Sequence, residues 1–167
     1  MPEVVLIPIT DALAGAMADE RTFEAASGAT LGTIAPNAIS AVEQTIAFHR
    51  RIESPPEYRG FLAADRATMQ VIGGCGFKGA PDANGDVEIA YGTFPPYEGR
   101  GYAKAMAASL ISRARANGAP HIIAHTLPET NASCTILRSL GFRQVGTVIS
   151  DPEDGPVWRW ELPDEQR

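Results

Sequence analysis

Apolar residues occur along the chain either in short runs or at helical intervals. Short runs bounded by turn-forming residues are typical of β-strands that are buried on at least one face. They predict seven strands, at residues 4–9, 58–64, 69–77, 87–94, 121–126, 142–149 and 157–162. Asn84-Gly85, just before the fourth of these runs, indicates a tight hairpin because both residues tolerate positive φ.

Apolar positions at intervals of three and four residues predict helices between these strands. Ser40 and Glu43 have the form of a capping box, which predicts a helix that continues to about residue 51. Residues 28–37, before it, are expected to form a loop. The clearest stripe predicts a second helix, and its members are Ala103, Met106, Ala107, Leu110, Ile111 and Ala114.

Two shorter helices are predicted from their caps. Asp11 is suited to cap a helix that ends near residue 17, and Thr130 or Asn131 is suited to cap one that Gly141 closes. The order of elements is then β-α-α-β-β-β-α-β-α-β-β. It predicts an α/β fold of the α+β kind, in which helices flank a mostly antiparallel mixed sheet.

Composition narrows the class of protein. A chain of 167 residues with 44% hydrophobic residues can bury a core, and we expect one domain over residues 1–167. Its formal charge of −6 argues against nucleic acid as a partner. The apolar runs are shorter than a membrane helix and the first residues lack a signal-peptide pattern, so we expect a cytoplasmic protein without a membrane partner. Cys75 and Cys134 lack metal-site spacing, so no metal is expected.

Residues 98–103, Glu-Gly-Arg-Gly-Tyr-Ala, connect a predicted strand to a predicted helix. Gly99 and Gly101 lack the Cβ atoms that would keep an anion from the backbone amides, and the helix start and Arg100 add positive charge. Such a loop is suited to hold a phosphate group. A single Gly-x-Gly is nevertheless more often a plain turn. This one lacks the third glycine of a dinucleotide fingerprint and the Gly-Lys-Ser/Thr of a Walker loop.

The same loop resembles the acetyl-CoA pyrophosphate loop of the GNAT superfamily of N-acetyltransferases, usually written Gln/Arg-x-x-Gly-x-Gly/Ala. Gly101 takes the central glycine place and Ala103 the final small one. Glu98 stands where Gln or Arg is usual, which removes a donor and adds a negative charge near the phosphates. Further segments resemble the branch with ribosomal-protein N-terminal and amino-sugar or antibiotic acetyltransferases, namely residues 87–91, 127–133, 140–142 and 158–162.

This resemblance implies a V-shaped opening between the fourth and fifth strands, with acetyl-CoA as co-substrate. The pantetheine arm would run along the backbone of the fourth strand, and the pyrophosphate would lie on the loop. Asn131 and Ser133 would lie near the cofactor, and capping of the last helix is a role that can coexist with binding. The cofactor-binding residues implied are Tyr91, Gly92, Thr93, Gly99, Arg100, Gly101, Tyr102, Ala103, Asn131 and Ser133.

An amine must lose a proton before it attacks a thioester, so the implied reaction needs a base or a water chain near neutral pH. Glu88 is the candidate catalytic base, because it lies in an otherwise apolar strand where burial would raise the pKa of its carboxyl group. A solvent-facing strand position is the alternative. His125 is the second candidate, with a packed strand histidine as the alternative. His49 fits the apolar stripe of its helix and is expected to be structural or to line the substrate.

The departing thiolate takes a proton or leaves unprotonated, and the residues for this step differ from those of the family. Many members place a tyrosine in the last helix where this sequence has Arg138, after Leu137. Ser133 is then the candidate catalytic acid, with water or a thiolate that leaves unprotonated as alternatives. Cys134 is expected to be a small packed side chain rather than a nucleophile.

The sequence therefore predicts an N-acetyltransferase that moves acetyl to a primary amine of a small molecule or a peptide N-terminus in a ternary complex. In this family residues 11–57 would set the acceptor. Four glutamates there would attract a cationic acceptor or are plain surface charge, namely Glu20, Glu24, Glu43 and Glu53. A non-catalytic acyl-CoA-binding or sensory domain is the alternative, and an unrelated phosphate-site enzyme is a third. A homodimer is a possible assembly.

Overall fold

In the computed structural model, which describes residues 1–164, seven strands form one mixed sheet. The strands are β1 Val4–Pro8, β2 Gly60–Asp65, β3 Val71–Phe77, β4 Asp86–Thr93, β5 His121–Thr126, β6 Arg143–Val148 and β7 Val157–Leu162. Their order across the sheet is β1-β2-β3-β4-β5-β7-β6. β4 and β5 are parallel, and the other neighbouring pairs are antiparallel.

Helices cover both faces of this sheet. In the described part of the chain they are α1 Asp11–Ala16, α2 Glu20–Ser27, α3 Ala35–Arg51, α4 Tyr102–Ala116 and α5 Ala132–Ser139. One core lies where α4 and α5 pack on the sheet, around Met106, Leu137 and Trp160. The other lies under α1 to α3, around Phe23 and Val42. Within residues 1–164 the helices are too short or too polar to cross a membrane.

β4 and β5 separate partway along their length. They pair only where Asp86–Glu88 lies beside His121–Ile123, after which β5 continues alone beside β7. β4 stays paired with β3 as far as Thr93. The implied V-shaped opening is therefore confirmed, and one edge of β4 lies along it.

An ion pair spans the closed end of the opening. Arg159 of β7 reaches past β5 to Asp86 of β4, with 2.9 Å between Nη2 and Oδ2, and its Nε lies 2.9 Å from Glu161 Oε1. The Arg159 and Asp86 side chains are only 23% and 12% exposed. Because the pair is shielded from water and crosses a strand, it holds β4 against the β5–β7 side of the sheet.

The predicted α/β class with a mostly antiparallel mixed sheet is confirmed, and each strand ends within two residues of its expected position. The helices differ more from their predicted positions than the strands do. α2 was not predicted because Phe23 is its one buried residue among those described, so it shows no apolar stripe. Asp19 caps it and Gly28, at φ +73°, ends it. The Ser40 capping box is wrong: α3 already begins at Ala35, so Ser40 lies inside the helix.

The Arg159 ion pair should matter for stability. We expect Arg159→Met to lower the free energy of unfolding by about 2 kcal/mol, because the mostly buried Asp86 carboxylate would lose its charge partner. Urea unfolding followed by circular dichroism measures the change. Arg66→Met is the control, since the Arg66–Glu3 pair is exposed and should contribute less than about 0.5 kcal/mol. Equal destabilisation by the two variants would show that the Arg159 pair does not hold the sheet.

Candidate active site

The edge of β4 offers backbone groups to the opening. Lys78 N donates to Glu88 O and Phe94 N donates to Ile72 O, each at 2.9 Å, so the even-numbered residues of β4 bond to β3. The odd-numbered residues turn their backbone groups the other way. Beyond Glu88, where pairing with β5 ends, the N–H and C=O groups of Tyr91 and Thr93 therefore face the opening. This edge can pair with a ligand that carries amide groups.

The loop at residues 98–103 leads into the first turn of α4. Gly99 and Gly101 adopt φ of +75° and +88°, a left-handed conformation that favours glycine. Gly101 is the N-cap residue, and its carbonyl accepts the first helical bond from Ala105 N at 3.2 Å. The amides of residues 102–104 precede that bond and are free of helical acceptors, and the loop before them is exposed. An anion can bind there and gain from the helix dipole.

Side chains of this loop have structural partners of their own. The Arg100 guanidinium lies 5.4 Å from the centre of the Tyr97 ring. The Tyr102 hydroxyl donates to Asp65 Oδ2 at 2.6 Å, which ties the start of α4 to the end of β2. This hydrogen bond is the main cause that lowers the pKa of Asp65. Tyr102 thus has only its backbone amide to offer to an anion, and Glu98 is exposed beside it.

Glu88 of β4 lies between Lys78, which directly follows β3, and His125 of β5. Its Oε2 is 3.1 Å from Lys78 Nζ, and its Oε1 is 3.0 Å from His125 Nδ1. The Glu88 and His125 side chains are 17% and 11% exposed. The His125 contact is short but poorly aligned, so among the described residues Nδ1 makes no well-formed hydrogen bond. It is best described as an electrostatic contact.

The expected rise in the pKa of Glu88 is wrong. Burial does raise the pKa, but the contact with His125 and the charge of Lys78 together outweigh burial, and the net pKa lies below its ordinary value. Glu88 is therefore a carboxylate at neutral pH. Both partners lie outside the apolar run that contains Glu88, so that run did not reveal them.

Tyr91 connects β4 to the start of α5. Its side chain interacts with the Ser133 hydroxyl; burial chiefly raises the pKa of Tyr91, and Ser133 only partly offsets this. Asn131 is the N-cap residue of α5, and its Oδ1 accepts from Cys134 N at 3.1 Å. The capping role of Asn131 is thus confirmed. The structure brings Tyr91 and Ser133 together on one face of β4, whereas strand alternation sends Glu88 to the other face.

Both cysteines are packed thiols. Cys134 is buried, with Sγ 3.5 Å from Glu129 O and 3.6 Å from Thr126 Oγ1. Burial raises the pKa of Cys75 to about 12, so this thiol stays protonated. The described residues bring no cluster of three His, Cys, Asp or Glu side chains together as a metal site.

A cavity of about 740 Å³ lies between α3 and the sheet, beside the opening. Its floor consists of strand residues with little or no side chain, which pair across β2, β3 and β4. They are Gly60, Gly74, Gly76, Ala90 and Gly92. An added Cβ at Gly60 would lie 2.5 Å from Thr45 Cγ2, whereas one at Gly74 would meet only Phe61 O, at 3.6 Å, among the described atoms. Gly74 therefore opens onto the cavity, and Gly60 permits the close approach of α3.

The sequence prediction missed this cavity's charged residues. They are Lys78 and Arg51. Among the described residues that line the cavity there is no glutamate of the acceptor region. Glu20 instead accepts from the backbone amides of Leu31 and Gly32, at 3.2 and 2.9 Å. His49 lines the cavity as expected, and its Nδ1 is 2.7 Å from Ser54 Oγ. Burial and the nearby Arg59 charge lower the pKa of His49, so the ring is neutral.

Comparisons with known proteins agree with this geometry. A family model described as an acetyltransferase (GNAT) domain matches residues 4–143. No protein of curated function matches the chain at a significant level of similarity. An acetyltransferase from Agrobacterium tumefaciens str. C58 is 19% identical, with 98% of this chain and 93% of that chain aligned at a TM-score of 0.61.

Two further solved structures share the fold over a smaller fraction of this chain. A ribosomal-protein-alanine N-acetyltransferase from Brucella melitensis is 21% identical over 74% of this chain and 76% of that one, with a TM-score of 0.57. A protein from Bacillus anthracis described as a streptothricin acetyltransferase, solved with acetyl coenzyme A, is 20% identical over 71% and 68%, with a TM-score of 0.56. Since the family model covers most of the sequence, the chain belongs to the GNAT acetyltransferase family.

Proposed function

We propose that the chain, as a single domain, is an acetyl-CoA-dependent N-acetyltransferase that moves acetyl to a primary amine by direct attack in a ternary complex. The opening between β4 and β5 is the observation that carries this proposal. It joins an unpaired strand edge at Tyr91 and Thr93 to a glycine loop at the start of α4. The acetyl-CoA complex of the Bacillus anthracis structure with the same fold supports the choice of co-substrate.

In this proposal the backbone of Tyr91, Gly92 and Thr93 holds the amide-containing arm of acetyl-CoA. Its diphosphate lies on the loop, where the amides at the start of α4 and the Arg100 guanidinium balance the negative charge. The residues assigned to the diphosphate are Gly99, Arg100, Gly101, Tyr102 and Ala103. Asn131 and Ser133 lie close by at the start of α5.

Glu88 and His125 form the proton-accepting pair. The amine reaches the thioester carbonyl as an ammonium ion at neutral pH and must first lose a proton. A Glu88 carboxylate favours the His125 tautomer with a proton on Nδ1, which leaves the Nε2 lone pair to accept a proton from the amine. The carboxylate also stabilises the imidazolium that results.

The second proton is supplied from the opposite face of β4. When the C–N bond forms and the C–S bond breaks, the thiolate requires a proton or a hydrogen-bond donor. The Ser133 hydroxyl, which interacts with Tyr91, is the assigned donor. The raised pKa of Tyr91 keeps that phenol protonated at neutral pH.

A non-catalytic acyl-CoA-binding domain is the second candidate. The lowered pKa of Glu88 favours it, because a carboxylate that is already stabilised by Lys78 is a weak base. Release of thiol from acetyl-CoA with a panel of amines separates the two. Tight acetyl-CoA binding with no amine-dependent release would favour the binding domain.

The loop assignment predicts a selective loss of acetyl-CoA affinity. Gly101→Trp should raise the acetyl-CoA Kd by about a hundredfold or more, because the side chain would cover the amides that hold the diphosphate. Isothermal titration measures the Kd. Gly118→Trp is the matched control, since Gly118 lies just past the other end of α4 with a similar φ of +76°. Equal affinities of the two variants would refute the assignment.

The base assignment predicts an activity loss with a defined pH signature. Glu88→Gln should lower kcat by about 10²-fold with little change in acetyl-CoA Kd, because the His125 imidazolium would lose its carboxylate. Lys78→Met removes a cation that favours the ionised carboxyl, so the pKa of Glu88 should rise. The acid limb of the pH–rate profile should then move to higher pH. Wild-type kcat in Glu88→Gln would show that Glu88 is structural.

A further inference from the structure

The cavity under α3 carries positive charge at one end. Lys78 lies on its wall with a side chain that is 51% exposed, next to Glu88. Arg51, in the last turn of α3, is also on the wall, and its guanidinium lies 5.3 Å from the centre of the Phe48 ring. The positive charge of Arg51 interacts favourably with the helix dipole at the C-terminus of α3. The same charge also faces any molecule in the cavity.

The rest of the wall is apolar or neutral. Glycine and alanine form the floor, Phe48 and Phe94 belong to the sides, and His49 is uncharged. A space of about 740 Å³ is within the usual range for a small-molecule site. It suits a compact apolar group that lies flat against bare backbone.

The charges disfavour an acceptor with several amines. None of the described residues on the cavity wall is Asp or Glu, so a second ammonium group would find no counter-charge there. It would also meet Lys78 and Arg51, and like charges without compensation reduce affinity. A carboxylate, by contrast, would be attracted by Arg51 and by Lys78, of which Lys78 also pairs with Glu88.

The distance between Lys78 and Glu88 further restricts the class of compound that could be the acceptor. Their charged atoms are 3.1 Å apart, so a site for a carboxylate and a site for an amine adjoin each other. In an α-amino acid the amine and the carboxylate share one carbon atom and are adjacent in the same way. The side chain of such an acceptor would extend from that carbon over the glycine floor.

We propose, on the basis of the function proposed above, that the acceptor is an apolar α-amino acid. Its carboxylate binds near Lys78 and Arg51, its side chain fills the cavity, and its amine lies toward Glu88 and the opening. Acetyl transfer breaks the thioester C–S bond and forms an amide C–N bond. The amine proton passes to the Glu88–His125 pair and the thiolate takes a proton, so the products are an N-acetylamino acid and coenzyme A.

Matched acceptors test the charge requirement. We expect kcat/KM for L-phenylalanine to exceed that for L-phenylalaninamide by about tenfold or more, and spermidine to be poorer than either. Arg51→Gln should reduce the ratio of kcat/KM for L-phenylalanine to kcat/KM for L-phenylalaninamide by about threefold or more, because one of two cations is lost. An amide or a polyamine acetylated as well as the amino acid would overturn the proposal.

A second variant tests the cavity. Gly74→Leu should raise the KM for L-phenylalanine by about tenfold or more while the acetyl-CoA Kd stays within about twofold, because the new side chain fills the space over the floor. Gly15→Leu is the matched control, since Gly15 lies on α1, away from the cavity, and an added Cβ there would meet nothing within 4 Å among the described atoms. Equal KM values for the two variants would place the acceptor elsewhere.

Direct binding separates a failure of this proposal from a failure of the enzyme assignment. With coenzyme A present, N-acetyl-L-phenylalanine should bind more tightly than N-acetyl-L-phenylalaninamide in isothermal titration, whether or not turnover occurs. If acetyl-CoA binds and no amine is acetylated, the acetyltransferase assignment fails, and the titration still decides the class of ligand. Equal binding of acid and amide would overturn the amino-acid proposal.

Discussion

The limited pairing of β4 with β5 is the constraint on which the candidate site depends. Three residues of β4 lie beside β5, and then the strands separate while β4 remains attached to β3. Separation leaves hydrogen-bonding groups of a strand without partners, which is costly in the interior of a sheet. A bound ligand with amide groups restores those bonds. The Arg159–Asp86 pair at the closed end lets the separation begin at one point rather than spread along the sheet.

Period-two alternation along β4 divides the proposed chemistry between two faces. Even-numbered Glu88 and odd-numbered Tyr91 project to opposite sides. On one side lie Lys78, His125 and the cavity under α3; on the other, Tyr91 meets Ser133 at the start of α5. A thioester in the opening is then reached by the amine from the first side and by a proton donor from the second. In the proposed direct transfer the base acts on the amine nitrogen and the acid acts on the thioester sulfur. Both atoms are bonded to the same carbonyl carbon, so the two groups must approach it from different sides.

Local sequence patterns were sufficient to predict the strands, but not to predict which residues form the site. The runs at residues 121–126 and 157–162 predict β5 and β7 with their observed ends, because short segments rich in Ile, Val and Trp between turn-forming residues are typical of strands. α2 buries too little to show a stripe. The floor of the cavity depends on the register of three strands, which aligns Gly60 with Gly76 and Gly74 with Gly92. The Gly73-Gly74-Cys75-Gly76 sequence signals a close approach but does not identify what approaches.

The state of Glu88 illustrates why a titrating residue needs its cross-strand neighbours. Burial alone would make it a raised-pKa base, and the sequence around it shows only burial. Lys78, directly after β3, lies opposite Glu88, and His125 lies two residues beyond Ile123, the last residue of β5 that pairs with β4. Both residues stabilise the anion, so their effect on the pKa of Glu88 outweighs the opposite effect of burial. In the proposed reaction the proton acceptor is therefore His125, which lies beside the Glu88 carboxylate. In the proposed transfer Glu88 and His125 therefore act together, and the Lys78 charge helps to keep the Glu88 carboxyl group ionised by lowering its pKa.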